Sequence, residues 1–240
     1  RIDMLMLKYF LGPAPVGLYN AAYRIVETIN LAPGLLFNAF YPLIIALHQK
    51  NRALLTGYYS TIYKYLYLLG VYVAICLFFF SKDVLIFLFG QAYLSAALPL
   101  QILGINCLLI FLNMPLIYFL NATHKERSLF KIVVCLSLVN ITLNLIFIPK
   151  WGIAGAAGST VICEALNLLA LLTVTRQNIL AKGLWLIALA NLLAFIIFYV
   201  YSSVSWLIIL PIVSLLYFGF LLLTRTIRLQ DFLFLRKRHA

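Results

Sequence analysis

The feature that most constrains this chain is its run of apolar segments. Stretches such as YLYLLGVYVAICLFFF (65–80) and LWLIALANLLAFIIFYV (184–200) follow one another, separated by short polar breaks. A run of about 20 apolar residues in helical form spans the hydrocarbon core of a bilayer. Hydrophobic residues make up 65% of the 240 and charged residues only 10%, whereas a soluble domain has about a quarter of its residues charged. The fold class expected is all-α, a polytopic transmembrane helix bundle.

Residues 1–11 form an apolar run too short to cross, and Gly12-Pro13-Ala14-Pro15 then breaks the chain. A long helical tract follows at 16–47, with Pro33 and Pro42 inside it. Further spans are expected at 62–80, 96–120, 128–148, 152–174, 184–201 and 204–224, and a short interfacial helix at 84–94 ending at Gly90. The total is seven full crossings and one partial one. The chain divides into a bundle at 1–178 whose partial first helix is 1–11, two additional helices at 179–224, and a basic tail at 225–240.

Charge sets the orientation. With the tail inside, the inner segments carry Lys50, Arg52, Lys125, Arg127, Lys131, Arg176, Lys182, Arg225, Arg228, Arg236, Lys237 and Arg238. The outer side holds Lys8, Lys82 and Lys150. An excess of Lys and Arg on the cytoplasmic side is the rule for membrane proteins. The formal charge of +12 is therefore read as loop charge, and no nucleic-acid partner is expected. The tail mixes basic residues with an FLFL patch that suits an anionic inner leaflet.

Cys76, Cys107, Cys135 and Cys163 each lie inside an apolar run without a CxxC pair. They read as small apolar fillers. His48, His124 and His239 lack metal-ligand spacing. No metal, cofactor or catalytic set is expected. No signal peptide is expected either, since no charged region precedes the first apolar run.

Six charges remain inside apolar tracts: Arg1, Asp3, Arg24, Glu27, Lys64 and Glu164. Charge in hydrocarbon is costly, so each should face a partner or a water-filled cavity. Asn20, Arg24, Glu27, Gly34 and Asn38 share one helix face. Arg24 and Glu27 are close enough to pair. This stripe reads as a cavity lining or as a structural pair between helices. Arg1 and Asp3, two residues apart, point to nearly opposite faces and need different partners; Arg24 is a candidate partner for Asp3. Glu164 shares a side of its helix with Thr160 and Asn167, and reads either as a proton or sodium site or as a hydrogen-bonded structural acid. Asn140 and Asn144 read as interhelical hydrogen-bond groups. Gly155 and Gly158, in GIAGAAGST, permit close helix packing.

RIDMLMLKYFLG followed by VGLYNAAYRIVETINLAPGLLFNAFYPLI resembles the middle of Wzx-type oligosaccharide flippases. These belong to the multidrug/oligosaccharidyl-lipid/polysaccharide superfamily. LFGQAYLSAALPLQIL and NITLNLIFIPKWGIAGAA fit the same pattern. Lys8 departs from it, where the family often has a small residue. The resemblance implies two similar lobes around a central cavity, of which this chain is the second lobe plus two helices. The N-terminal lobe of the same protein is then its missing partner. It implies a bacterial or archaeal cytoplasmic membrane and a polyprenyl-diphosphate-linked oligosaccharide as substrate. Arg1, Arg24 and Lys64 would meet the diphosphate, and Asn20 and Asn38 the sugars. The lipid tail would lie in the bilayer against the last two helices. Alternating access would move the substrate without enzyme activity.

A multidrug exporter of the same superfamily would favour an acid-rich cavity, whereas the embedded charges here balance, three against three. A peptidoglycan-precursor flippase is a close alternative. A membrane polysaccharide polymerase or ligase would call for a sizeable basic outer loop, and the outer loops here are short. A gene remnant that moves nothing is the remaining reading.

Overall fold

The computed structural model describes residues 1–50, 52–175, 184–200 and 206–223. Nearly all of these are helical, and the assembly is a polytopic membrane bundle. The helices are α1 (Ile2–Leu11), α2 (Pro13–Lys50), α3 (Arg52–Phe89), α4 (Ala97–Ala122), α5 (Glu126–Thr175), α6 (Leu184–Val200) and α7 (Trp206–Leu223). A short 3-10 helix, Gln91–Ala96, leads into α4. Among the described residues, four helical stretches are long and apolar enough to cross a membrane: Thr61–Phe89, Gln91–Ala122, Glu126–Thr175 and Trp206–Leu223.

The longest of these, α5, is folded in two. Gly152 sits at φ 58°, ψ −135°, a backbone state that side-chain-bearing residues rarely adopt. Beyond it the chain doubles back. Ser159 donates to Asn144 Oδ1 at 2.5 Å, and Asn140 Nδ2 reaches Cys163 Sγ at 3.6 Å. Two antiparallel arms therefore meet in a hairpin, matching the separate spans at 128–148 and 152–174. At its tip a Cβ on Gly155 would lie 2.2 Å from the Phe147 carbonyl oxygen. Only glycine fits there.

Glycine also makes the breaks at Gly12 (φ 84°) and Gly90 (φ 90°). Pro13 and Pro15 then open α2, where the first helical turn has no use for an N–H. The interfacial helix expected at 84–94 is not a separate element. Its first six residues continue α3 to Phe89, and the rest form the 3-10 turn. Ser81-Lys82-Asp83 lowers the hydropathy, but nothing there interrupts backbone hydrogen bonding until Gly90.

Among the described residues, three apolar clusters organise the bundle. Leu7, Tyr19, Val26, Leu85, Leu100, Leu103, Ile148 and Ala156 pack together toward the end that holds Gly12, Gly90 and Gly152. Phe37, Tyr59, Tyr63, Phe119, Leu120 and Leu171 pack toward the opposite end. α3 and α4 run closest where glycine faces leucine. A Cβ on Gly70 would lie 3.1 Å from Leu108 Cδ1, and one on Gly104 would lie 3.1 Å from Leu77 Cβ.

The third cluster docks α6 and α7 onto α3 through Tyr72, Phe80, Phe198, Val213 and Tyr217. Tyr72 and Tyr217 stack at 4.6 Å. Their hydroxyls meet Ser214 at 2.5 Å and Asn191 Oδ1 at 2.8 Å. Outside the clusters, Leu5, Leu35, Phe87, Phe130, Leu138, Leu169, Leu215 and Leu223 are exposed. Those positions suit lipid and would be anomalous in water. The basic tail (225–240) and the loop carrying Arg176 and Lys182 lie outside the described residues.

Candidate functional site: a polar cavity between α1, α2 and α5

A cavity of ≈ 440 Å³ opens between α1, α2 and both arms of α5. Arg1, Asp3, Tyr23, Ser137, Asn140, Thr160, Glu164 and Asn167 supply its polar lining. It therefore gathers polar groups from four helical segments inside an apolar bundle. Charge in such a place needs compensation, and the cavity supplies it unevenly.

Arg1 forms an ion pair with Glu27 of α2. Its guanidinium also lies 4.5 Å from the centre of the Tyr23 ring, a cation–π arrangement. The pair is Arg1–Glu27, and not the Arg24–Glu27 pair that spacing along α2 suggests. The helical i, i+3 relation makes a contact available; the neighbouring helix supplies a better one. Arg24 is exposed and makes no ion pair among the described residues, with Asp3 or otherwise. Asp3 lies instead toward the tyrosines of α2. The buried Tyr19 hydroxyl sits beside Asp3 and Thr160 without a well-formed hydrogen bond to either.

Arg1 and Asp3 line the same cavity, although a helical two-residue spacing separates them by most of half a turn.

Glu164 is held by amides. Its Oε2 accepts from Asn113 Nδ2 at 2.6 Å and from Asn167 Nδ2 at 3.3 Å. Asn113 Nδ2 also donates to the Glu164 carbonyl at 3.1 Å. Asn113 comes from α4 and is buried. It is a site residue that reading the sequence overlooked, and an Asn within the apolar tract LLIFLNMPLIYFLN is the signal that marks it. Asn140 and Asn144 bond each other at 2.9 Å and join the two α5 arms through Cys163 and Ser159. Gly155 allows the close turn at the hairpin tip. Gly158 has only the Phe147 ring at 3.9 Å in the direction a Cβ would take.

The other candidates lie elsewhere. Asn20 is half-buried on α2, outside the cavity lining. Asn38 accepts a hydrogen bond from Tyr118 of α4 at 2.6 Å. It lies roughly 20 Å along α2 from Tyr23, at 1.5 Å per residue. Lys64, on α3, has its ammonium 5.4 Å from the Tyr65 ring centre. A second cavity of ≈ 380 Å³, apolar, lies between α6 and α7 and is bordered by Leu193, Ile197, Leu216, Gly219 and Phe220.

This arrangement defines a class of fold. The chain superposes on lipid II flippase MurJ in its inward closed conformation with a TM-score of 0.81. The match covers 94% of this chain and 50% of that chain, at 19% sequence identity. The fold is therefore shared with half of a membrane transporter. In sequence, the chain is 30% identical over 166 residues to an uncharacterized membrane protein of Methanocaldococcus jannaschii. That match spans 67% of this chain and 32% of the relative, so the matched segment covers about a third of the curated protein's length. No family model matches the chain.

Proposed function

We propose that the chain is one lobe of a flippase that moves a lipid-linked saccharide across a cytoplasmic membrane by alternating access. The observation that carries the reading is the coincidence of a flippase fold with a polar, charged cavity in the same helices. Alternating access in transporters commonly arises from rigid bundles rocking about a midplane site. The other lobe would belong to the same protein, since the matching structure is twice as long as the segment it shares.

Within that reading the residues divide by chemistry. Ser137, Asn140 and Asn167 offer hydrogen bonds to sugar hydroxyls. Arg1, held by Glu27 and Tyr23, offers planar donors to phosphate oxygens; Arg24 is exposed on α2 outside the cavity lining. The apolar groove between α6 and α7 fits an acyl or polyprenyl chain. The substrate favoured is a polyprenyl-diphosphate-linked oligosaccharide, an O-antigen or capsular repeat unit. The lobe makes and breaks no covalent bond in this scheme, and the inner loops, rich in Lys and Arg, face the cytoplasm.

A peptidoglycan-precursor flippase is the second reading, favoured by the name of the matching structure, a lipid II flippase. The two separate in a cell. Arg1→Ala and Glu27→Ala in the full-length protein are expected to lower lipid export about tenfold and to deplete surface polysaccharide while the protein stays at normal abundance. Normal polysaccharide in both variants would remove the cavity assignment. Loss of wall precursor export instead would favour the second reading.

A further inference from the structure

The short turn between α4 and α5 gathers positive charge that nothing in the bundle answers. Lys125, Arg127 and Lys131 are exposed, and among the described residues none of them forms an ion pair. The carboxylate beside them, Glu126, lies 3.7 Å from His124 Nδ1 instead. The backbone of the turn is tied at both ends. His124 takes a left-handed φ of 54°. The Lys125 N–H donates to the Leu120 carbonyl at 2.9 Å, and the Ser128 N–H donates to the Lys125 carbonyl at 3.0 Å. The cations therefore stand at set positions where α5 begins.

An apolar lane continues from them. With 3.6 residues per turn, Arg127, Lys131, Val134, Leu138 and Leu145 fall within about 60° of one another around α5. All five are exposed. Phe130, 69% exposed, borders the lane beside the cations. Ser137 and Asn140, which line the polar cavity from the same arm, lie on another face. From Lys131 to Leu145 the helix rises about 21 Å. One leaflet's hydrocarbon is about 15 Å deep. The lane thus reaches from headgroup depth to the middle of a bilayer, with its positive charge at one end.

We propose that this edge of α5 docks an anionic phospholipid of the surrounding membrane. Arg127 offers planar donors to the headgroup phosphate, and Lys125 and Lys131 add charge beside it. An acyl chain lies along Phe130, Val134 and Leu138. Charge decides the occupant. A zwitterionic lipid carries its own cation in the headgroup, which cancels much of the attraction; an anionic lipid does not. Each Lys or Arg near an anionic membrane surface strengthens attachment about fivefold. A lipid held across the turn braces the start of α5 against the end of α4. This goes beyond the flippase reading: docking at this edge does not depend on what the cavity carries.

The test is thermal unfolding of the purified full-length protein in detergent micelles. Dioleoyl phosphatidylglycerol is added to one sample and dioleoyl phosphatidylcholine, at the same mole fraction, to another. A ligand held only by the folded state raises the melting temperature. Phosphatidylglycerol is expected to raise Tm by about 3 °C over phosphatidylcholine. The triple variant Lys125→Gln/Arg127→Gln/Lys131→Gln is expected to lose that difference. Lys82→Gln/Lys150→Gln, which removes two cations from the other end of the bundle, is expected to keep it. Inorganic phosphate, which has no acyl chain, is expected to give no rise. Comparing the two lipids within each variant removes any general loss of stability. A wild type that melts identically in both lipids, or a triple variant that keeps the full response, would overturn the site. So would a rise with phosphate alone, or a response lost equally in the Lys82→Gln/Lys150→Gln variant. A response that disappears only with Arg236→Gln/Lys237→Gln/Arg238→Gln would also overturn it, in favour of the tail. Failure of saccharide translocation with the phosphatidylglycerol response intact would count against the flippase reading alone.

Discussion

Arg1 and Glu27 show how a charge survives inside this bundle. Each side chain is partly exposed, and each reduces the cost of holding the other inside the bundle. An exposed pair contributes little to stability, about 0–1 kcal/mol, so the pair's consequence should fall on transport. Glu27→Ala is expected to lower translocation by about tenfold, equivalent to about 1.4 kcal/mol, with Tm little changed. The Arg1→Glu/Glu27→Arg double variant should recover part of the loss, and a transport assay on the single and double variants checks this. That these residues are charged and embedded is plain in the sequence. Which partner each takes is not, because helical spacing ranks contacts within one helix and says nothing about its neighbour. Asn113 escaped notice for a related reason. It is one polar atom set in an apolar run, and its meaning depends on Glu164, 51 residues away.

At the level of elements, glycine and tyrosine carry the instructions. Gly155→Ala would place a methyl 2.2 Å from a backbone oxygen, so the hairpin must open to accept it. Overpacking costs about 1–3 kcal/mol where side chains can yield, and a backbone neighbour yields less. Gly158→Ala, three residues on, meets only a ring at 3.9 Å and is expected to melt within about 0.5 kcal/mol of wild type. Thermal melts of the two variants separate a tight turn from a generic small-residue stripe. On the other side of the bundle, Tyr217→Phe keeps the ring stack and removes its hydroxyl from Asn191. Interhelical hydrogen bonds in membranes average about 0.6 kcal/mol, so a small Tm loss is expected, with a larger one for Tyr217→Ala. Most elements were legible from the length of the apolar runs and the breaks between them. The merging of 84–89 into α3 was not, because hydropathy reports where lipid ends and backbone geometry decides where a helix ends.

For the whole molecule, the packing places a polar cavity in the bundle and an apolar groove between α6 and α7. A lipid-linked saccharide has both kinds of surface, and this pairing is what favours it over a purely apolar or purely polar cargo. The bundle architecture was readable from span length, while the distribution of Lys and Arg gives an expected orientation. The cavity's composition was only half readable: it combines residues from α1, α2 and both α5 arms, and only the hairpin at Gly152 makes Asn140 and Glu164 neighbours of one space. The most direct measurement is translocation in vesicles. The full-length protein would be reconstituted with a fluorescent polyprenyl-diphosphate saccharide confined to one leaflet, and a membrane-impermeant quencher would report its arrival at the other. Transfer well above protein-free vesicles, strongly reduced with Arg1→Ala, is the expected result. Label that stays in its original leaflet, in vesicles holding folded protein, would contradict the account.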